Sequence, residues 1–444
     1  MDTLIGMILV LGVIILVHEW GHFVVARFFG VRVDVFSIGF GPRLFGVKRG
    51  ATDWRVSALP LGGYVRMAGQ DLSDVDAGDE PPTGAPDELM SKKRWERALI
   101  CVAGPAVNLI FPLLLLGIYY GVVGLPVDKA LSRPIVVNSV PPAPQSETTS
   151  GLRVGDTILS INGSKNPTWE QALSISAKAV PGSILRLVVS NNGATREVEI
   201  PANTNPYART FGYSPIPAII GEVGIGTPAD RAGLRDGDVV VAVDGQKTQY
   251  WDQFVDLVRN SGGKTLQLDV ERKGKQISLS VTPQKGLTDG AENYYQVGIQ
   301  REFAVVYQRI GPLQSLKASG LQTVSLVAQT VDVVGKLLSG RVSVKQLQSV
   351  VGISRTAGQA VAQGSYAVIG FMALISVNLG VLNLLPIPIL DGGQILLLLL
   401  EGIRRRDFSL AFKERFIQVG LVFLLVLIVY VTYNDVARML VRHS

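Results

Sequence analysis

Four uncharged apolar stretches constrain this chain more than anything else in it. Leu4 to Val17 is 14 apolar or glycine residues without a break, and the run resumes at Phe23 to Ala26 after a polar knot. Ala98 to Gly124 holds 27 residues and no charge, Tyr366 to Leu390 holds 25, and Phe416 to Tyr433 holds 18. A bilayer core of ~30 Å needs about 20 residues of helix at ~1.5 Å each. The spacing predicts four transmembrane helices. Charged residues make up 18% of the 444, against about 25% in soluble chains. The mean hydropathy of +0.31 agrees. A disordered chain and an ordinary soluble enzyme are both excluded. The first run has no basic residues ahead of it and no small-residue cleavage site, so it is expected to be kept as a span.

The polar knot in the first span is His18-Glu19-Trp20-Gly21-His22. Helical spacing of i and i+4 stacks the two imidazoles on one face, where they can grip one metal ion. Zinc suits neutral imidazole, and a catalytic zinc site takes three protein ligands and leaves a position for water. Zinc brings the pKa of that water toward ~7, and a carboxylate at Glu19 is placed to take its proton. A charged residue at bilayer depth costs about 2.5–3.5 kcal/mol, so such a cluster marks a functional site. Glu19 is the one charge between Leu4 and Ala26.

A third ligand must be polar and at membrane depth. Asp391 fits: it follows 25 uncharged residues and precedes the apolar run Ile395 to Leu400. Pro386 and Pro388 break the helix just ahead of it. Broken backbone inside a membrane is tolerated only when buried in protein or lining a wet cavity. The single cysteine, Cys101, rules out an intrachain disulfide and a Cys-rich metal site. The third histidine, His443, is next to last. The net charge of +6 comes with no basic tract interleaved with aromatics, so nucleic acid is not an expected partner.

Arg404, Arg405, Arg406, Lys413 and Arg415 crowd the short loop between the third and fourth runs, and Lys92, Lys93, Arg94 and Arg97 precede the second. Basic short loops stay cytoplasmic. Both termini and the segment 125–365 are then expected outside. The first and third spans run the same way, so His18 and Asp391 meet near the cytoplasmic side.

The outer segment repeats itself at an offset of 82 residues. Gly151-Leu152-Arg153-Val154-Gly155-Asp156 reads again as Gly233-Leu234-Arg235-Asp236-Gly237-Asp238. Each copy continues through a strand-like run to Asn162-Gly163 or Asp244-Gly245, a strong hairpin turn signal. Trp169-Glu170-Gln171 then matches Trp251-Asp252-Gln253. Two copies of one mixed α/β module are predicted, too few for a solenoid. The motif resembles PDZ domains, which bind peptides by strand addition to a sheet edge. Residues 310–362 read as amphipathic helix, with Leu313, Leu316, Leu321, Val324 and Val327 near helical spacing. They would lie on the outer membrane surface or join the repeats to the third span. Residues 70–90, acidic and rich in Pro and Gly, read as a flexible loop.

Taken together, the His18 to His22 motif and Asn383-x-x-Pro386-x-Pro388-x-Leu390-Asp391-Gly392 resemble the site-2 protease family of intramembrane metalloproteases. Phe36-Ser37-Ile38-Gly39-Phe40-Gly41, Leu59-Pro60-Leu61-Gly62-Gly63-Tyr64-Val65 and Ala103-Gly104-Pro105-Ala106-Val107-Asn108 resemble the family too. The resemblance implies a polytopic α-helical membrane protein with four transmembrane helices, a membrane-associated β-hairpin and two tandem PDZ domains. The implied layout is a first helix at 1–26, a cytoplasmic loop with the hairpin at 27–97 and a second helix at 98–124. PDZ domains at 125–212 and 213–302 and an amphipathic connector at 303–365 follow. The third segment is then at 366–402, a cytoplasmic loop at 403–415 and the fourth helix with the C-terminus at 416–444. The implied location is a bacterial inner membrane, with termini and PDZ domains periplasmic. His18, His22 and Asp391 are implied as zinc ligands and Glu19 as the catalytic base. Asn383, Pro386 and Pro388 are implied to shape the substrate site, and Gly62, Gly63, Tyr64 and Val65 to pair with an unwound substrate strand. Implied partners are single-span membrane proteins already trimmed on the outside, among them an anti-sigma factor and remnant signal peptides. The PDZ pair would act as a size filter. Read from the residues alone, a zinc transporter and a membrane-anchored scaffold stay open. A transporter needs a through path of ligands, and a scaffold has no use for Glu19.

Overall fold

The computed structural model describes residues 2–69, 83–139, 151–180, 183–202, 210–287, 293–340 and 349–441. From the N-terminus come α1 (Asp2–Phe28), β1 (Val33–Arg49), β2 (Thr52–Met67), α2 (Arg94–Val122) and β3 (Leu125–Asp128). Next are β4 (Thr157–Ile161), β5 (Ser164–Lys165), α3 (Trp169–Lys178), β6 (Ile184–Asn191) and β7 (Ala194–Pro201). A parallel series follows: β8 (Ile220–Val223), α4 (Pro228–Arg231), β9 (Val239–Val243), β10 (Gln246–Lys247), α5 (Trp251–Arg259), β11 (Leu266–Arg272) and β12 (Lys275–Val281). Short strands β13 (Gln284–Lys285), β14 (Tyr295–Gln296), β15 (Ile299–Arg301) and β16 (Val305–Gln308) lead to the last helices. These are α6 (Pro312–Leu338), α7 (Val350–Gln363), α8 (Ser365–Asn383), α9 (Asp391–Arg404) and α10 (Leu410–Val441). The chain divides into two compact units, Met1–Leu125 with Arg309–Ser444, and Pro126–Gln308.

In the first unit, four helical segments are long and apolar enough to cross a membrane: Val10–Phe28, Arg94–Val122, Ser365–Asn383 and Ala411–Asn434. Their packing is that of helices in lipid, where small and polar side chains meet and apolar ones face out. Pro112 inside α2 has no N–H to give the Asn108 carbonyl one turn back. The Ser376 hydroxyl of α8 donates to that carbonyl instead, at 2.8 Å. Gly117 and Gly121 of α2 admit the serines of α6, a Cβ on Gly117 falling 3.2 Å from Ser319 Oγ. Thr330 Oγ1 of α6 donates to Asn378 Oδ1 of α8 at 2.7 Å.

The helical connector packs on its small polar residues rather than on most of its apolar stripe. α6 turns Ser315, Ser319, Thr323 and Thr330 inward and leaves Leu313, Leu316, Leu321 and Val324 exposed. Of the apolar stripe, Val327 packs into the bundle. α7 sets Ala357 against Val10 and Ile14 of α1. The predicted loop at 70–90 falls largely on 70–82, which lie outside the described residues, as does His443.

β1 and β2 form an antiparallel pair whose long strands bend back on themselves. Phe36 stands opposite both Trp54 and Val65, and Arg55 opposite both Ser37 and Gly46. Gly63 to Met67 thus run along one margin of this small sheet, meeting Val33 to Ile38. An aromatic cluster fixes the sheet to α1: Phe23 lies 5.6 Å from Phe36 and 5.1 Å from Trp54, ring centroid to ring centroid.

The second unit carries the sequence repeat as two four-stranded sheets of the same order, β5-β4-β6-β7 and β10-β9-β11-β12. The turns are alike. Asn162 and Gly163 take φ of 49° and 82°, and Asp244 and Gly245 take 48° and 77°, the two positive values a tight hairpin turn requires. Asn162 Oδ1 accepts from the Arg186 amide and Asp244 Oδ1 from the Gln267 amide. Helix α3 closes one core with Trp169, and α5 the other with Phe254. The repeated aspartates are fully buried. Asp156 pairs with Arg196, and Asp238 with Arg272 at 2.7 Å. Burial pushes the Asp238 carboxyl up, but the Arg272 guanidinium and the Arg235 amide outweigh it and hold it below the usual carboxylate range. Pro144 to Glu147 of the first copy lie outside the described residues.

Candidate active site

Two glycines bring α1 and α2 together at the histidines. A Cβ on Gly21 would sit 2.6 Å from the Ala103 carbonyl oxygen, and one on Gly104 would sit 2.3 Å from His22 Nε2. Only glycine fits either position. Both rings are buried, and the surrounding groups fix how they present their nitrogens. His22 Nδ1 donates to the Ile100 carbonyl at 2.7 Å, which leaves Nε2 as a free lone pair. His18 Nδ1 faces the Asn108 carboxamide at 3.1 Å. Asn108 is wholly buried, and its Oδ1 has no partner when Nδ2 is turned to the ring. Turned the other way, the carboxamide gives Oδ1 a partner, with His18 Nδ1–H donating to Asn108 Oδ1. That again leaves Nε2 with its lone pair.

Asp391 opens α9 after a seven-residue turn. Close backbone contacts build that turn: a Cβ on Gly392 would lie 2.3 Å from the Leu385 oxygen, and one on Gly393 2.2 Å from the Ile387 oxygen. The result brings Asp391 to the histidines. Its Oδ2 lies 3.3 Å from His18 Nε2 and its Oδ1 3.4 Å from His22 Nε2. The two Nε2 atoms are 3.2 Å apart. Tetrahedral zinc with bonds of about 2.0–2.1 Å needs ligand atoms about 3.3–3.4 Å from one another. Each imidazole nitrogen lies at that spacing from the other and from one of the two Asp391 oxygens, and both imidazole tautomers suit a metal. Among the described residues this is the cluster of histidine, cysteine and carboxylate groups able to hold an ion.

Glu19 lies beside the triangle in a cavity of about 440 Å³ lined also by Phe40, Tyr64, Val65, Asn383 and Gln394. A Cβ on Gly63 would come 3.6 Å from Glu19 Cγ, so the sheet margin runs along the carboxylate. The structure thus gathers His18, Glu19, His22, Asn383, Asp391, Tyr64 and Val65 in one place. The Asn383 amide sits 3.3 Å from His18 Nε2. Gly62 lies against Phe40 at a φ of 150°. Pro386 and Pro388 do not line the cavity; they belong to the turn behind Asp391, where Pro388 abuts Gly420 of α10. Gly104 and Asn108 stand in the family-like stretch Ala103 to Asn108 but were assigned no role from the sequence, and the Ile100 carbonyl was not singled out. Asn108 had a signal: it is the one carboxamide in the 27 uncharged residues of the second run.

The sequence pattern of peptidase family M50 matches residues 6–427. The chain belongs to peptidase family M50. It is a site-2 type intramembrane zinc metalloprotease, with zinc as its cofactor. The regulator of sigma-E protease RseP of Escherichia coli K12 is 31% identical over 459 residues, covering 98% of this chain and 98% of the relative. The regulator of sigma E protease of Salmonella typhi is 31% identical over 98% of this chain and 99% of its own length. Protease RseP of Yersinia pestis is 30% identical over the same shares. A solved PDZ domain from Listeria innocua pairs with 20% of this chain at 20% identity and a TM-score of 0.18, too slight a likeness to bear on the fold.

Proposed function

We propose that this M50 protease cuts within the transmembrane segment of single-span proteins that another protease has already trimmed. Its zinc is held by His18, His22 and Asp391, with Glu19 as the catalytic base. The observation that carries this reading is the triangle of two imidazole nitrogens and a carboxylate at zinc-ligand spacing, with a second carboxylate beside it. His18, His22 and Asp391 would hold the zinc, which when bound would supply Lewis-acid polarisation of a carbonyl and a more acidic water. Glu19 accepts the proton of the attacking water and passes it to the leaving amine, so the peptide bond breaks to a carboxylate and an amine. Asn108 and the Ile100 carbonyl hold the imidazoles in the tautomers this requires. Asn383 is placed to orient the substrate at His18, while Pro386 and Pro388 shape the turn that presents Asp391.

A helical substrate has its amides already bonded and must unwind before it can be cut. The Gly62, Gly63, Tyr64 and Val65 margin offers replacement bonds beside Glu19, as strand addition does at other sheet edges. The sheet that carries this margin is read as membrane-associated. The repeated modules of residues 125–212 and 213–302 are read as tandem PDZ domains that exclude untrimmed substrates and take peptide ligands. Basic residues of the 403–415 loop support an inner-membrane protein with that loop cytoplasmic and both termini and the modules periplasmic. The relatives named for regulating sigma-E support an anti-sigma factor of the RseA type as one substrate. Remnant signal peptides are the other class.

The test is cleavage of a single-span anti-sigma substrate, trimmed and untrimmed, by the purified full chain and by Val65→Pro. The reading expects the trimmed form to be cut and Val65→Pro, which also takes the Val65 amide from Glu19, to lose most cleavage at unchanged zinc content. Normal cleavage by Val65→Pro would sink the strand-addition step, and equal cleavage of both substrate forms would sink the size filter.

A further inference from the structure

Glu401 is a fully buried carboxylate of the membrane unit, and it takes no part in the site. It lies near the end of α9, ten residues after Asp391. Ten residues of helix span about 15 Å, too far to reach the zinc triangle. Its Oε1 accepts from the Phe408 amide at 3.0 Å and faces Lys413 Nζ of α10 at 3.1 Å. Its Oε2 lies 3.5 Å from an Arg97 terminal nitrogen on α2. Arg97 is itself buried. Three residues further along α2 the Ile100 carbonyl holds His22, and one turn beyond that Gly104 abuts both rings.

Charges this deep are stable only while paired. A slip of α9 along α2 by one turn, about 5.4 Å, would strand all three. The ion group thereby fixes the axial register of the helix that opens with Asp391 against the helix that orients His18 and His22. α10 adds a second point of hold. Gly420 lies seven residues after Lys413, on the same face. A Cβ there would fall 2.6 Å from Pro388 Cβ, so α10 backs the turn that presents Asp391.

We propose that Glu401, with Arg97 and Lys413, is a positioning residue for zinc: it locks α9 against α2 and α10 so that Asp391 stands at ligand distance from the histidines. The proposal rests on the reading of Asp391 as a ligand. The experiment measures the zinc dissociation constant of the full chain in detergent by chelator competition, with unfolding temperature, kcat and KM read alongside. Glu401→Gln is expected to weaken zinc about tenfold and to lower kcat with KM unchanged. The charge-swapped Arg97→Glu, Glu401→Arg, Lys413→Glu chain keeps opposite signs together at both contacts and is expected to recover part of that affinity. Gly420→Ala pushes on Pro388 without touching a charge and is expected to weaken zinc in the same direction; it carries the test should Glu401→Gln fail to fold. Unchanged zinc affinity in both, with only a lower unfolding temperature, would overturn the proposal and leave a merely structural ion group. Asp391→Ala is the control: zinc retained there would overturn the ligand reading underneath rather than the lock.

Discussion

In the unit of residues 126–308, Trp169, Phe211 and Phe254 are sealed inside, and the buried carboxylates Asp156 and Asp238 each have an arginine on them. In the membrane unit Val122, Ile403 and Val419 face outward, and the interior holds His18, His22, Asn108 and Ser376. Water sorts the first pattern and lipid the second. The carboxylates show what the difference means. Asp156, Asp238 and Glu401 all carry a Lys or Arg partner. Asp391, among the described residues, has only two imidazoles. A partly buried carboxylate without a cationic side chain is suited to a cation from elsewhere. On the proposed reading that cation is zinc.

The largest effect that would break this contrast is expected at Gly104. Gly104→Ala places a methyl group 2.3 Å from His22 Nε2. Zinc binding and cleavage should fall by about 10²-fold or more, since ligand placement within an ångström decides both. Metal analysis and a cleavage assay read it, and full zinc content in the variant would show that the two helices can part freely there.

Asp238→Ala should destabilise its module by about 2–3 kcal/mol, because it leaves Arg272 partly buried without its partner. Hydrogen exchange in β9 and β11 of the full chain reports it, while zinc content stays unchanged. The pH dependence follows from the same pair. Asp238 is held below its unfolded value, so its stabilising effect is present above about pH 4 and is lost as pH falls through the lower folded value. Asp238→Asn should remove that part of the acid sensitivity, and an unchanged acid profile would assign it to other groups.

Ser376→Ala leaves the Asn108 carbonyl without a donor and should cost about 1 kcal/mol, in line with single hydrogen bonds between membrane helices. Thermal unfolding in detergent measures it. The smallest effect is expected at Gly370 of α8, where an added Cβ meets nothing within 4 Å. Gly370→Ala should be neutral or stabilising by up to about 1 kcal/mol. A loss larger than that of Ser376→Ala would mean that the open face of α8 is covered.

The grouping of the site residues was legible in the sequence because charge stands out in apolar runs. Glu19 and Asp391 announced themselves that way, and the i, i+4 spacing of His18 and His22 needed nothing but helix geometry. The repeat was legible too, since Asn162-Gly163 and Asp244-Gly245 specify their turns locally. What stayed hidden acts across space. Gly104 matters because of where α1 lies, and the Ile100 carbonyl belongs to the backbone, which sequence does not distinguish. The facing of α6 was hidden for another reason. Helical periodicity gives an apolar stripe, but it does not say whether protein or lipid covers it. Leu313 and Leu321 are exposed, and Ser315 and Ser319 are the residues that pack.

The most direct measurement of the central claim is cleavage of a trimmed single-span substrate by detergent-purified wild type and Glu19→Gln, with zinc content read on both. A carboxylate that moves the proton, and does not hold the metal, predicts equal zinc and a loss of about 10²–10⁴-fold in kcat for Glu19→Gln. Undiminished cleavage by Glu19→Gln at equal zinc would contradict it.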